Sequence, residues 1–336
     1  MIKGEWKLTH YNTMNGQIEE IGCEYENGNT IFYREMYAHD SLLLLMEPGK
    51  RKSGIAKSQK ELKVVDIKIP MKAEIVLDEP NVSILDIAEY RFDDGDWQEE
   101  EEILRIDNKF RKLLKYPLRM EAYAQPWTND REESFEHTLS LRYKIHAECN
   151  LNDIKLASEL DEGARIFLDD REIPNVQTGW YTDHSIKTVL LPKISRGEHV
   201  LMVEIPYNSR VNIEAMFLLG TFSVSVFGCY QILEAAKNCI GYADITRQGY
   251  PFYGGSLTYR IPFITHGGEV IVQASMYRAP LLSLKVDGES AGYIYISPYQ
   301  VNIGKLNPGK HMLEFTVQTS LLSFLTRILM PAVIPF

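Results

Sequence analysis

Leu139-Ser140-Leu141-Arg142-Tyr143-Lys144-Ile145 alternates apolar and polar side chains, the period of a strand with one buried face. The pattern returns 118 residues later as Leu257-Thr258-Tyr259-Arg260-Ile261-Pro262-Phe263. At the same offset Ile166-Phe167-Leu168-Asp169-Asp170 meets Leu284-Lys285-Val286-Asp287-Gly288, each an apolar strand running into an acidic turn. At an offset of 112, Arg196-Gly197-Glu198-His199-Val200-Leu201 meets Pro308-Gly309-Lys310-His311-Met312-Leu313, a glycine turn opening an alternating strand. Ordered matches near one spacing mark a duplicated unit of roughly 100 residues. Short strands about ten residues apart, with almost no helix between them, predict antiparallel jelly-roll β-sandwiches. A parallel α/β sheet would need helices between its strands.

Working outward, Thr30–Tyr37 and Ser41–Met46 read as strands, the second stopped by Glu47-Pro48-Gly49. Val64–Ile69 and Ala73–Leu77 alternate with the same period of two. Glu89-Tyr90-Arg91-Phe92, Asp93-Asp94-Gly95-Asp96 and Trp97 form a hairpin with an Asp-Gly turn. The acids of 93–102 lack the alternating oxygen spacing of a calcium loop, so a solvated turn ahead of a helix is expected. One helix is expected over Glu102–Tyr116, with Ile103, Ile106, Phe110, Leu113 and Leu114 on its inner face and Pro117 closing it. The chain therefore divides into a β-rich segment 1–72, a first sandwich 73–227 carrying the helix, and a second sandwich 228–336.

Forty-six acidic against 36 basic residues give a net charge of −10, which excludes the basic face a nucleic-acid partner requires. The basic stretch from Lys50 to Lys72 is diluted by Glu61 and Asp66 and reads as a solvated linker. Cys23, Cys149, Cys229 and Cys239 fit neither a zinc clamp nor a disulfide framework, so reduced core thiols are expected. Met-Ile-Lys-Gly-Glu-Trp at the start is no signal peptide, which places the chain as given in the cytoplasm. The apolar tail Leu321–Phe336 is broken by Arg327, Pro331 and Pro335 and is too short to span a bilayer. No Ser-His-Asp order, HExxH, GxGxxG or P-loop appears. Asp169 and Asp287 hold equivalent turn positions in the two repeats and read as turn residues. No catalytic residue, metal ligand or cofactor is expected.

A second set of motifs carries a family resemblance. Thr178-Gly179-Trp180-Tyr181-Thr182-Asp183, Met216-Phe217-Leu218-Leu219-Gly220-Thr221-Phe222, Gln248-Gly249-Tyr250-Pro251-Phe252-Tyr253-Gly254-Gly255 and Ser297-Pro298-Tyr299 follow one another in order. This order resembles the galactose-binding-like sandwiches of glycoside hydrolase family 2 and of bacterial α-L-rhamnosidase-type hydrolases. Asp40-Ser41-Leu42-Leu43-Leu44-Leu45 is similar to the end of the β-domain that precedes such modules. The resemblance covers most of 73–318 and implies tandem galactose-binding-like sandwiches behind a β-domain remnant, accessory to a catalytic barrel. A barrel needs about 250 residues of alternating strands and helices, and no segment here has that pattern. The chain thus reads as a fragment or shifted-frame product of a longer gene.

Sugar binding by a sandwich requires aromatic faces for pyranose rings and planar polar groups for hydroxyls. Trp127, Trp180, Tyr181, Arg210, Tyr253, Arg278 and Tyr299 lie in loop-like segments and are the candidates. For Arg210 and Asn212 a buried hydrogen-bonded corner is the favoured role over ligand contact. The expected partners are a carbohydrate, for which the resemblance suggests rhamnose- or galactose-containing glycans, and the missing barrel. The alternatives are a stand-alone protein-interaction sandwich and a small hydrolase with its site between sandwiches.

Overall fold

The computed structural model describes residues 1–14, 16–50, 65–118, 134–161, 163–211, 213–274 and 277–318. Trp127, Asn212, most of the basic stretch and the apolar tail lie outside these residues. Among the described residues the fold is all-β with one α-helix, Ile103–Leu114. The described residues form two compact units, one from Met1–Pro70 and Ile261–Phe315, the other from Met71–Arg260 and Thr316 onward. These bounds differ from 1–72, 73–227 and 228–336 for a reason of pairing. Lys72–Leu77 is hydrogen-bonded to Cys239–Gly241 on one side and to Leu257–Arg260 on the other.

In the Met71–Arg260 unit, one sheet runs Gln98–Glu102, Ile87–Phe92, His137–Ala147, Gly197–Tyr207, Arg165–Leu168, Arg171–Ile173. The other runs Gln177–Tyr181, Asp183–Leu190, Lys155–Ser158, Met216–Gly220, Asn81–Leu85. The opening stretch Leu139–Ile145 sits at the centre of the first sheet, antiparallel to Gly197–Tyr207 in an eleven-residue register. Residues directly opposite share a face, so Leu139, Leu141 and Tyr143 line up with Ile205, Val203 and Leu201. They join Leu156, Met216 and Leu218 of the second sheet in one buried core. The alternation read from the sequence is this inward face.

Ile103–Leu114 closes one side of that core. Glu102 caps it, its carboxylate accepting from the Leu104 and Arg105 N–H groups at 3.0 Å each. Ile103, Ile106 and Phe110 are buried as expected, but Leu113 is 66% exposed. At about 100° per residue, Asp107 and Arg111 occupy the inner stripe in its place. Asp107 is fully buried; its Oδ2 accepts from Arg111 Nε at 2.8 Å and its Oδ1 from the Tyr207 hydroxyl at 2.7 Å. Arg111 also donates to the carbonyls of Pro117, Ser209 and Val211. The group welds the helix to the end of Gly197–Tyr207.

One local device occurs three times. Asp93, Asp169 and Asp287 each follow a strand in the left-handed conformation (φ 48°, 50° and 52°). Their Oδ1 atoms accept the N–H of Thr138, Val200 and Met312 at 2.8, 3.0 and 2.9 Å. Their Oδ2 atoms lie 2.9, 2.6 and 2.7 Å from Nδ1 of His137, His199 and His311. Each aspartate thus turns a hairpin and clasps the start of the strand beside it. The sequence repeat exposed two of these clasps; Asp93–His137 is a third.

In the Met1–Pro70 and Ile261–Phe315 unit, Trp6–Tyr11 pairs with Ile18–Ile21 and with Leu43–Pro48, and Gly268–Gln273 pairs with Gln300–Leu306. Leu281–Val286 pairs with Glu289–Ile294. Two expected strands differ. Of the first only Thr30 and Ile31 form a ladder, in the short strand Asn29–Ile31, and 65–70 form none; Tyr33, Val65 and Ile69 are exposed, so no packed face holds them. The thiols also differ from expectation. Cys23 is buried, but Cys229 and Cys239 are exposed, because one lies in the Gly228 hairpin turn and the other on the edge strand Cys239–Gly241.

Candidate functional site

A concavity of about 530 Å³ lies within the Met71–Arg260 unit. Six chain segments build it. Lys72–Leu77 contributes Ile75 and Leu77; the turn into Asn81–Leu85 contributes Glu79 and Pro80; Met216–Gly220 and the turn after it contribute Leu219, Thr221 and Phe222. Asp153 and Lys155 stand on another side, with Asn238 and Tyr250 completing the wall.

The walls are held by buried polar ties. The Asn81 amide donates to the carbonyls of Phe222 at 2.8 Å and Gly249 at 3.0 Å. Tyr250 donates from its hydroxyl to the Lys237 carbonyl at 2.6 Å. Tyr253 Oη accepts from the Asp78 and Glu79 N–H groups and lies 2.8 Å from Asp78 Oδ1 and 2.7 Å from the Ser256 carbonyl. Gly255 is required beside it, since a Cβ there would fall 2.6 Å from both Asp78 Oδ1 and Tyr253 Oη. Tyr253 therefore fixes the backbone that carries Glu79 to the rim. Burial raises the Glu79 carboxyl above its ordinary value, and the Asp78 charge adds to the effect. The result is an apolar floor with carboxylate, amide, hydroxyl and ammonium groups around it, the composition of a site for a small polar molecule with one apolar face.

The predicted residues fall in several places. Tyr181 is buried against Phe217 (ring centroids 5.8 Å) and offers no open face. Tyr253 is likewise buried and positions the cleft rim instead of touching what enters it. Trp180, next to Tyr181 on the same strand, is 53% exposed and tilted over His184 at 4.4 Å. Arg210 is exposed on a turn where its N–H donates to Asn208 Oδ1. Arg278 and Tyr299 belong to the other unit. There Tyr299 meets Tyr277 edge to face, with centroids 5.6 Å apart and planes at 86°. The cleft residues themselves were not foreseen. They are separated by tens of residues, and only the Asp78-Glu79-Pro80 turn breaks the alternation in a way that marks a special place.

No family model matches the chain, and no curated protein matches it. Among solved structures, similarity is found to a glycoside hydrolase family 2 β-galacturonidase from Eisenbergiella tayi, at 11% identity and a TM-score of 0.22, covering 73% of this chain and 37% of that one. A rhamnosidase from Novosphingobium sp. PP1Y is similar at 16% identity and a TM-score of 0.22, covering 57% and 19%. A β-glucuronidase from Ruminococcus gnavus is similar at 8% identity and a TM-score of 0.26, covering 72% and 41%. The chain thus spans less than half the length of each. At these TM-scores the three carry no argument about activity; the residues of this chain must.

Among the described residues no group of three or more His, Cys, Asp or Glu side chains is placed to hold a metal ion, and no helix is long and apolar enough to cross a membrane.

Proposed function

We propose that this chain is a non-catalytic carbohydrate-binding region of a glycoside hydrolase-like protein, and that the cleft of the Met71–Arg260 unit receives the sugar. The observation that carries the reading is the cleft's division of labour. Ile75, Leu77, Pro80 and Tyr250 line it with apolar surface, while Glu79, Asp153, Lys155, Thr221 and Asn238 supply polar groups. A pyranose has the matching chemistry, with one apolar face and a belt of hydroxyls. The volume lies within the usual range of about 300–1,000 Å³ for small-molecule sites.

Calorimetry with rhamnose, galactose and glucuronate oligosaccharides tests it. Wild-type chain should give saturable heat with at least one of them. Thr221→Trp, at an exposed lining position, should fill the cleft and weaken binding at least tenfold. Silence with every glycan, or wild-type affinity in Thr221→Trp, removes the cleft as the site. The raised Glu79 carboxyl, in a lining that also includes Asp153, gives a hydrolase reading one specific foothold, since glycoside hydrolysis uses a carboxylic acid and a carboxylate. Turnover of aryl glycosides that disappears in Glu79→Gln would establish that reading and end the non-catalytic one.

A further inference from the structure

We propose that the Met1–Pro70 and Ile261–Phe315 unit carries a second glycan contact, a corner formed by Tyr277 and Tyr299 that takes a carboxylated sugar ring with help from Arg278. The proposal rests on the sugar-binding reading of the chain but not on the cleft.

Three observations converge on this corner. First, the edge-to-face geometry of the two rings leaves Tyr299 37% exposed. A perpendicular pair of phenols presents an apolar wall and a hydroxyl edge together, which suits one face of a pyranose. Second, Tyr299 is held at φ +57°, a left-handed conformation that is unfavourable for a bulky residue. The turn around it is pinned, since the Tyr299 N–H donates to the Ile296 carbonyl and its carbonyl accepts from the Ala274 N–H, both at 2.9 Å. Strain retained at an exposed aromatic, where burial gives no compensation, is the signature of a side chain aimed for contact. Third, Arg278 follows Tyr277 directly and is exposed. No carboxylate pairs with it among the described residues, in a chain with ten more acidic than basic groups. An unpaired guanidinium one residue along the chain from Tyr277 suits a carboxylate, which it would bind through two parallel hydrogen bonds. A uronate residue within an oligosaccharide combines the ring and the charge.

Trigalacturonate and its methyl ester are the probes, titrated by ligand-observed NMR against the full chain. Wild type should bind the acid at least fivefold more tightly than the ester. Arg278→Gln should abolish that preference. Tyr299→Gly relieves the left-handed backbone and so keeps the fold, yet it should weaken trigalacturonate binding about tenfold or more. Thr221→Trp should leave trigalacturonate binding at this corner unchanged, which separates the corner from the cleft. Equal affinity for acid and ester, wild-type binding by both Arg278→Gln and Tyr299→Gly, or no binding by wild type would each overturn the proposal. The cleft reading would survive all three, because its own test is the Thr221→Trp response to the rhamnose, galactose and glucuronate oligosaccharides.

Discussion

Two buried tyrosines show how little a residue's burial says about its worth until its hydroxyl is traced. Tyr253 Oη serves two backbone donors, Asp78 Oδ1 and the Ser256 carbonyl. Tyr143, at the centre of the opening strand, is 1% exposed and its hydroxyl has no hydrogen-bond partner among the described residues. Burial pushes both phenols far above their ordinary value, with Asp78 hydrogen bonding adding at Tyr253 and the Asp86 charge at Tyr143. Deleting a hydroxyl that satisfies partners costs about 1–3 kcal/mol, whereas deleting one that is buried and unpaired is neutral or favourable. In urea denaturation, Tyr253→Phe should therefore lose about 1–3 kcal/mol, while Tyr143→Phe should lose nothing and gain up to about 1 kcal/mol. The repeat supports the second expectation, since the position equivalent to Tyr143 holds Ile261. A Tyr143→Phe loss of 2 kcal/mol or more would show that its hydroxyl has a partner in solution. At this scale the sequence was legible for what each side chain is, but not for where its polar end goes. Tyr181 and Tyr253 were read as sugar-facing because they lie in loop-like segments; alternation and a backbone lock bury them instead.

At the scale of elements, legibility follows periodicity. Leu139–Ile145, Leu257–Phe263, the Asp-Gly hairpin and the helix all announced themselves through period 2 or 3.6, because each has one apolar face against one core. Thr30–Tyr37 and Val64–Ile69 have the composition of strands, yet only Thr30 and Ile31 of the first sit in a ladder and 65–69 form none. Periodicity also misassigned part of the helix. It placed Leu113 inside, whereas Asp107 and Arg111 are the residues buried there. Polar residues on an inner stripe look like an error in the pattern until their partners on Gly197–Tyr207 and beyond are known. That group makes a sharp prediction. Asp107→Ala strands a buried guanidinium and should cost about 3–5 kcal/mol. Asp107→Leu combined with Arg111→Met removes both charges and should recover most of the loss, because an apolar replacement of a buried pair is often neutral. A double variant as unstable as the single one would mean that the carbonyl contacts of Arg111, not its charge pairing, hold the helix.

Across the whole molecule the repeated clasp links sequence repetition to pH. One copy, Asp287–His311, lies in the Met1–Pro70 and Ile261–Phe315 unit; Asp169–His199 lies in the other. The Met312 N–H and then His311 hold the Asp287 carboxyl below its ordinary value. At Asp169 burial works in the opposite direction, but His199 and the Val200 N–H outweigh it, and that carboxyl is lowered too. Carboxylates lowered on folding stabilise fully above their unfolded value of about 3.9, and that contribution fades as pH falls through the lowered folded values. Both units should therefore weaken on the acid side. His311 behaves in the opposite sense. Its hydrogen bond to Asp287, then that to the Asn307 carbonyl, raises it above its ordinary value. A raised histidine stabilises fully below about 6.5, and the contribution is lost as pH climbs through the folded value. This alkaline limb belongs to the unit that contains His311. Hydrogen exchange followed separately on Leu281–Val286 and on His137–Ala147 should thus show the first strand losing protection, beyond the intrinsic rate increase, as pH rises above about 6.5. His311→Gln should flatten that decline and leave the acid limb of Asp169 untouched. A decline that persists in His311→Gln would assign the alkaline sensitivity to another group and leave the clasp a purely geometric device for turning three hairpins.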